Sequence, residues 1–314
     1  MGNFGGVISE KRPGSRILDR LRGASYQTAY AGEVRIKFVE DGHEYYVSEL
    51  GRVGMFKGWG DWKRVYGSTT FIEIKDKSNT LIDWAVGLFY RYTKKILGIR
   101  LLNKFDLEFG RNLHADKKKQ AGNIGTIAHK WMEDWIRNNN PVMPEHPSVL
   151  QIITAFWKWK NDLKVEFVAT EILLYSKEHK YCGTADAIVR IGGKLYLLDF
   201  KTGSGIYNDC MLQTASYVKM YYEMGLNKIY GELVGRVVVR FEKRTEEEFR
   251  EEMMEKGRPN AIYRPITTLF FDNSPEQLED DYNAFLCFKG GWEWNKRSER
   301  ALKKIKDLAD ITIA

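Results

Sequence analysis

Cysteine is scarce, with three residues, Cys182, Cys210 and Cys287, widely spaced and odd in number. That pattern excludes a disulfide framework and fits a reducing compartment. No C-x-x-C occurs, so the cysteines also fail as a metal set. Long hydrophobic runs are missing too. Nothing approaches the roughly 18 apolar residues that a membrane span requires, and no secretory pattern is present, so a soluble, cytoplasmic chain without membrane association is expected. An excess of one charge is nearly absent. Lys plus Arg number 49 against 42 Asp plus Glu, a net charge of +7, a mild bias that suits a polyanionic partner and equally a solvated surface.

At 314 residues the chain can bury a full core, as one elaborated domain with additions. The first 30 residues are Gly-rich, basic and weakly periodic, which reads as a partly ordered arm. Alternation around Asp41-Gly42 predicts a hairpin, with His43 in it as a turn or strand residue. Helical spacing of Leu81, Trp84, Ala85, Leu88 and Phe89 predicts a helix over about 80–97 with a core-facing stripe. A basic helix over 104–120 carries Arg111, Lys117, Lys118 and Lys119, either a solvated face or a nucleic-acid contact. The next helix, over 125–137, places Ile127, Trp131 and Trp135 on a buried stripe and His129 and Glu133 one turn apart on another. Further helices are expected over 148–163, with Phe156, Trp157 and Trp159 as a core stripe, and over 209–224, 245–256 and onward from Ser274-Pro275. Strands are expected over 165–175, 236–241 and 266–272.

The chemistry concentrates between Tyr181 and Tyr217. Two apolar, β-rich runs, 187–191 and 194–200, flank Gly192-Gly193, a pair that favours a tight two-residue turn. Counting outward from that turn pairs Ile191 with Lys194, Val189 with Tyr196 and Asp186 with Asp199. Directly opposed carboxylates repel, so something must offset them, and a divalent cation such as Mg²⁺ does so better than a proton. Lys201 lies on the same strand face as Asp199, about 6 to 7 Å along. Two carboxylates, an ammonium and a metal make a site for phosphodiester hydrolysis; the bland reading of each Asp alone is a solvated strand-end residue.

The ordered blocks G-T-I-A-H-K-W-M-E (Gly125 to Glu133), G-T-A-D (Gly183 to Asp186), L-D-F-K-T-G (Leu198 to Gly203) and Q-T-A-S-Y (Gln213 to Tyr217) resemble the PD-(D/E)XK nuclease superfamily. Within it the chain is similar to the RecB-type branch, which includes phage and mitochondrial exonucleases. The likeness implies an α/β, restriction-endonuclease-like core with a small mixed central sheet flanked by helices, plus N-terminal and C-terminal helical additions. Its implied division is an arm over 1–30, an extension over 31–120 contributing to a nucleic-acid channel, and a nuclease core over 121–314. The four cysteines that iron-sulfur members of the branch use are missing, so no iron-sulfur cluster is expected.

The resemblance also implies roles. Asp186, Asp199, His129 and the Phe200 carbonyl would hold Mg²⁺ or Mn²⁺, and Glu133 would orient His129 or bind a second ion. Lys201 would position water or stabilise charge. Glu171 would support the metal or Lys201, with a structural salt bridge as the other reading. Gln213 and Tyr217 would border the site, or would be helix-sheet packing with polar tips. The element around V-Y-G-S-T-T-F-I makes Ser68, Thr69 and Lys77 candidates for the nucleic-acid backbone, against capping and solubility. The function implied is a metal-dependent DNA exonuclease acting on single strands or an end, in recombination, repair or replication, with room for a partner protein from those processes. The alternatives are a structure-specific or restriction-like endonuclease and a non-catalytic nucleic-acid-binding module.

Overall fold

The computed structural model describes residues 26–312 apart from 41, 54, 55 and 76, without the side chains of 52–59 and 306–312. Most of the expected basic arm lies outside the described residues, as does Asp41. The protein is α/β, and the chain divides into two compact units, one of 1–67 with 175–182, the other of 68–174 with 183–314. No parting falls at 120/121, where one helix runs unbroken.

The first unit is a five-stranded sheet of β1 (Gln27–Ala29), β2 (Val34–Val39), β3 (Glu44–Val53), β4 (Phe56–Trp59) and β5 (Lys63–Val65), the last pairing with β3. The expected hairpin forms, with Phe38 opposite Tyr45. His43 occupies the turn at φ +51° and packs edge-on against Phe38, its ring centroid 4.8 Å away.

The second unit holds most of the other sheet, apart from the 175–176 and 181–182 ends of two strands. Its strand order is β10-β9-β8-β7-β6, from β6 (Glu166–Ser176), β7 (Tyr181–Ile191), β8 (Lys194–Lys201), β9 (Gly235–Phe241) and β10 (Ile266–Asp272). Gly192 and Gly193 sit at φ +56° and +78°, the left-handed pair that a two-residue hairpin turn needs. The register from Ile191↔Lys194 to Ala187↔Leu198 is the one counted from the sequence. β8 then runs parallel to β9, so the sheet is mixed and β7 and β8 are both internal, which is why they are apolar on both faces.

The helices are α1 (Ser68–Ile72), α2 (Ser78–Leu97), α3 (Lys104–Ile136), α4 (Pro147–Asp162), α5 (Asp209–Glu223), α6 (Asn227–Tyr230), α7 (Glu246–Glu255) and α8 (Pro275–Thr312). The main core lies between the sheet and α3 and α4, where Phe156, Trp159, Phe200, Phe241, Leu198 and Val239 are buried together. The aromatic stripe of α4 is core, with Trp157 partly buried against Trp131.

Three expectations change. The helices over 104–120 and 125–137 are one helix of 33 residues, because Gly122 and Gly125 are tolerated where the flanking turns are held by tertiary packing. Its buried stripe is Ile124, Ala128, Trp131 and Met132, and Ile127 is 46% exposed; the stripe is rotated from the expected one because Trp131 and Met132 both turn inward. The α2 stripe is not ordinary core either. Trp84, Ala85, Leu88 and Phe89 are only half-buried, and Ile82, Val86 and Tyr90 on the next face are each more than half exposed. Against α2 lie α3, through Tyr92 on Phe109, and α7, through the Lys95–Glu255 ion pair at 2.5 Å.

Candidate active site

The site grows from the far end of the β7–β8 hairpin. Beyond Ala187↔Leu198 the ladder stops, so Asp186 and Asp199 do not form the direct cross-strand pair that counting gives. Instead the Asp186 side chain accepts the backbone N–H of Phe200 at 2.6 Å, taking the place of a ladder carbonyl. Repulsion between opposed carboxylates favours that exit, and a half-buried acid gains a donor by it.

Asp199, 3% exposed, points to the face of β8 that also carries Lys201. Lys201 Nζ lies 2.5 Å from Asp199 Oδ2, a close ion pair with a buried carboxylate. Nζ also donates to Gln213 Oε1 at 2.9 Å, and Gln213 Nε2 donates to the Tyr217 hydroxyl at 2.8 Å. One relay, Asp199–Lys201–Gln213–Tyr217, therefore joins two of the four sequence blocks.

The other two blocks abut them. Gly183 approaches the Tyr217 ring so closely that a Cβ would stand 2.4 Å from Cε1, and a Cβ on Gly125 would meet Thr202 Oγ1 at 2.8 Å. His129, half-buried on α3, lies edge-on to Phe200 with ring centroids 6.2 Å apart.

The electrostatics follow from burial against charge. Desolvation lifts the Asp186 carboxyl to about 6; Asp199 adds to the rise, while His129, Lys201 and the Phe200 N–H oppose it. For Lys201, burial disfavours the ammonium, but Asp199 and Asp186 outweigh it and hold the amine above its ordinary value. Glu171 reaches about 8, through burial first and then Asp186 and Glu133. It sits in β6 at φ +49°, a left-handed backbone uncommon for a non-glycine residue, and Thr170 beside it donates to the Asp186 carbonyl at 2.9 Å.

Glu133 is partnered by Arg137 and lies 3.6 Å from Lys130, so its charge is already met on α3 itself. Among the described residues no three His, Cys, Asp or Glu side chains are gathered closely enough to hold a metal ion. The donor chemistry nonetheless suits a hard divalent cation, since two carboxylates, Asp186 and Asp199, flank Phe200 and the His129 imidazole packs on that same residue.

The expected nucleic-acid contacts separate. Thr69, Arg111, Lys117, Lys118 and Lys119 are exposed. Lys77 is ion-paired with Asp209 at 2.5 Å. Ser68 is 1% exposed and accepts from Ser216 at 3.0 Å, so it is a packing contact that pins α1 to α5, neither a strand contact nor a solubilising residue. Sequence reasoning missed Arg240, which the β8–β9 ladder sets directly beside Lys201. Parallel pairing with a strand 34 or more residues away leaves no local signal.

No protein-family model matches the chain, and no curated protein does. Among solved structures the chain is similar to an alkaline exonuclease (LHK-Exo) from Laribacter hongkongensis, at 11% identity over 76% of this chain and 94% of that one, TM-score 0.29. It is similar also to LHK-Exo in complex with dAMP, at 12% identity over 76% and 94%, TM-score 0.27. At this distance the chain's own residues have to carry the chemistry. No helix among the described residues is long and apolar enough to cross a membrane.

Proposed function

We propose that the protein is a metal-dependent nuclease that hydrolyses DNA phosphodiester bonds as an exonuclease acting on single strands or ends, in recombination, repair or replication. The observation that supports this reading is the convergence of residues from four separated sequence blocks on the three-residue stretch Asp199-Phe200-Lys201 of β8. A structural salt bridge would not need His129, Gln213 and Tyr217 around it.

His129, Asp186, Asp199 and the Phe200 carbonyl would hold Mg²⁺ or Mn²⁺, which when bound supplies a water of lowered pKa. Lys201, kept cationic, hydrogen-bonds and neutralises charge on the phosphate oxygens. Gln213 holds that ammonium in place, and Tyr217 holds Gln213.

End-labelled linear and circular DNA, single-stranded and duplex, digested with Mg²⁺, Mn²⁺ or EDTA, tests the proposal. Cleavage should need the ion, spare circles and vanish in Asp199→Asn; EDTA-resistant cleavage, or full activity in that variant, refutes it. Cutting of circles assigns an endonuclease. The lack of a ready three-ligand group among the described residues favours one other reading, a module that holds nucleic acid without cutting, and inertness on every DNA form with every ion would establish it.

A further inference from the structure

At the carboxyl end of the parallel β8–β9 pair lies a cavity of about 290 Å³. Clefts outside the carboxyl ends of parallel strands are where α/β sheets bind ligands. Its walls include Arg240, Arg244 and Arg264 against one carboxylate, Glu242, with Phe249, Ile262 and Leu269 as an apolar side and Ser204 to Ile206 as the rim. That rim follows the catalytic strand directly. Lys201 and Arg240 are ladder partners, one strand spacing apart (~4.8 Å) and on the same face.

Glu242 is the organiser of the cavity rather than a competitor for its ligand. Only 1% exposed, it accepts the backbone N–H groups of Lys243 and Arg244, Arg244 Nε at 2.9 Å and Nη2 at 2.7 Å, and Arg240 Nη2. Burial opposes its charge, but Arg244 and Arg240 hold its carboxyl below the usual range. Arg240 uses Nε on the Gly203 carbonyl at 3.0 Å and Nη1 on the Arg264 carbonyl; Arg244 uses Nη1 on Glu252 at 2.7 Å. With five N–H groups each, both guanidiniums keep two donors. Arg264 is exposed, and among the described residues its guanidinium has no hydrogen-bond or ion-pair partner. The lining therefore carries excess positive charge, oriented by a buried counter-ion, beside an exposed wall at Ile262 (71%) and Leu269 (39%).

We infer that this cavity is a second phosphate subsite, holding the phosphate next to the one cut at Lys201, with the attached nucleoside against the Ile262–Leu269 wall. Fixed guanidinium forks suit phosphate oxygens, and such contacts hold register without reading sequence. The inference rests on the nuclease reading.

The test is binding of a labelled single-stranded oligonucleotide by the full chain in EDTA, repeated with Mg²⁺ in the Asp199→Asn background, across a salt series. Arg264→Ala should weaken binding about fivefold to tenfold and lower the salt slope by about one, while Arg264→Lys keeps the slope. Oligonucleotides carrying one neutral methylphosphonate at successive linkages locate the contact. At one linkage the wild type and Arg264→Ala should bind equally.

Unchanged affinity and slope, a loss spread evenly over all linkages, or no binding by the wild type in either condition would overturn the subsite. A single-linkage effect in a chain that never cleaves keeps the subsite and removes the nuclease reading. Cleavage without that effect does the reverse.

Discussion

Gly183 and Tyr217 are in such close contact that a single methyl group cannot be added between them, since a Cβ at Gly183 would stand 2.4 Å from Tyr217 Cε1. Tyr217 is 3% exposed and has little room to retreat. Gly183→Ala should therefore cost about 1–3 kcal/mol of stability as overpacking does, and should lower cleavage by pushing Tyr217 off Gln213. Tyr217→Ala opens a cavity of its own, so the double variant should lose less stability than the two single losses added together and should recover none of the activity. Thermal melts and single-turnover cleavage of the two single variants and the double variant check this; additive losses in stability would show that the two residues do not press on each other.

The relay behind Lys201 sets an order of effects. Gln213 touches the ammonium at 2.9 Å and Tyr217 touches only Gln213, at 2.8 Å. Lys201→Ala should lose most activity, Gln213→Ala roughly 10–100-fold, as loss of a supporting partner does, and Tyr217→Phe less than Gln213→Ala. Oligonucleotide affinity should change little in Tyr217→Phe. A Tyr217→Phe defect larger than that of Gln213→Ala would mean that the hydroxyl meets the strand itself.

Local signals made the β7–β8 hairpin readable, because Gly192-Gly193 fixes both turn and register and those pairs form as counted. The count failed at its last step, where the Asp186 side chain takes the Phe200 N–H and ends the ladder. Alternation can place two acids at a strand end but cannot tell which will leave the sheet. Helix α2 was misread for a similar reason, since periodicity gives an apolar face without saying what covers it. Arg240 had no signal at all, because its place beside Lys201 depends on a parallel neighbour distant in sequence.

Glu171 gives a stability profile with a definite sign. Its carboxyl is raised from 4.5 to about 8 in the folded protein, by burial first and by Asp186 and Glu133 next. The folded state thus binds the proton more tightly than the unfolded one, and stability falls as pH rises between about 4.5 and 8, with the cost absent below that window. Glu171→Gln should melt at the same temperature as the wild type at pH 4 and higher at pH 8, each kcal/mol being worth about 2–4 °C or somewhat less in a chain of this size. Melts in EDTA across that range decide it; parallel curves would mean that Glu171 ionises freely in the fold.

Ser68 and the Lys117–Lys119 run should separate packing from nucleic-acid contact. Ser68 is buried on Ser216, which also donates to the Gln213 carbonyl at 2.7 Å, so Ser68→Ala removes one buried hydrogen bond, should cost about 1 kcal/mol and should leave oligonucleotide binding unaltered. The three lysines are exposed on α3, the helix that carries His129 about two and a half turns past Gln120. Replacing all three by Ala should leave the melting temperature nearly unchanged and reduce the salt dependence of binding, by about one unit of slope for each lysine that meets a phosphate. An unchanged slope would make the run a solvated face and leave the strand's path to the cations around Arg240 and Lys201.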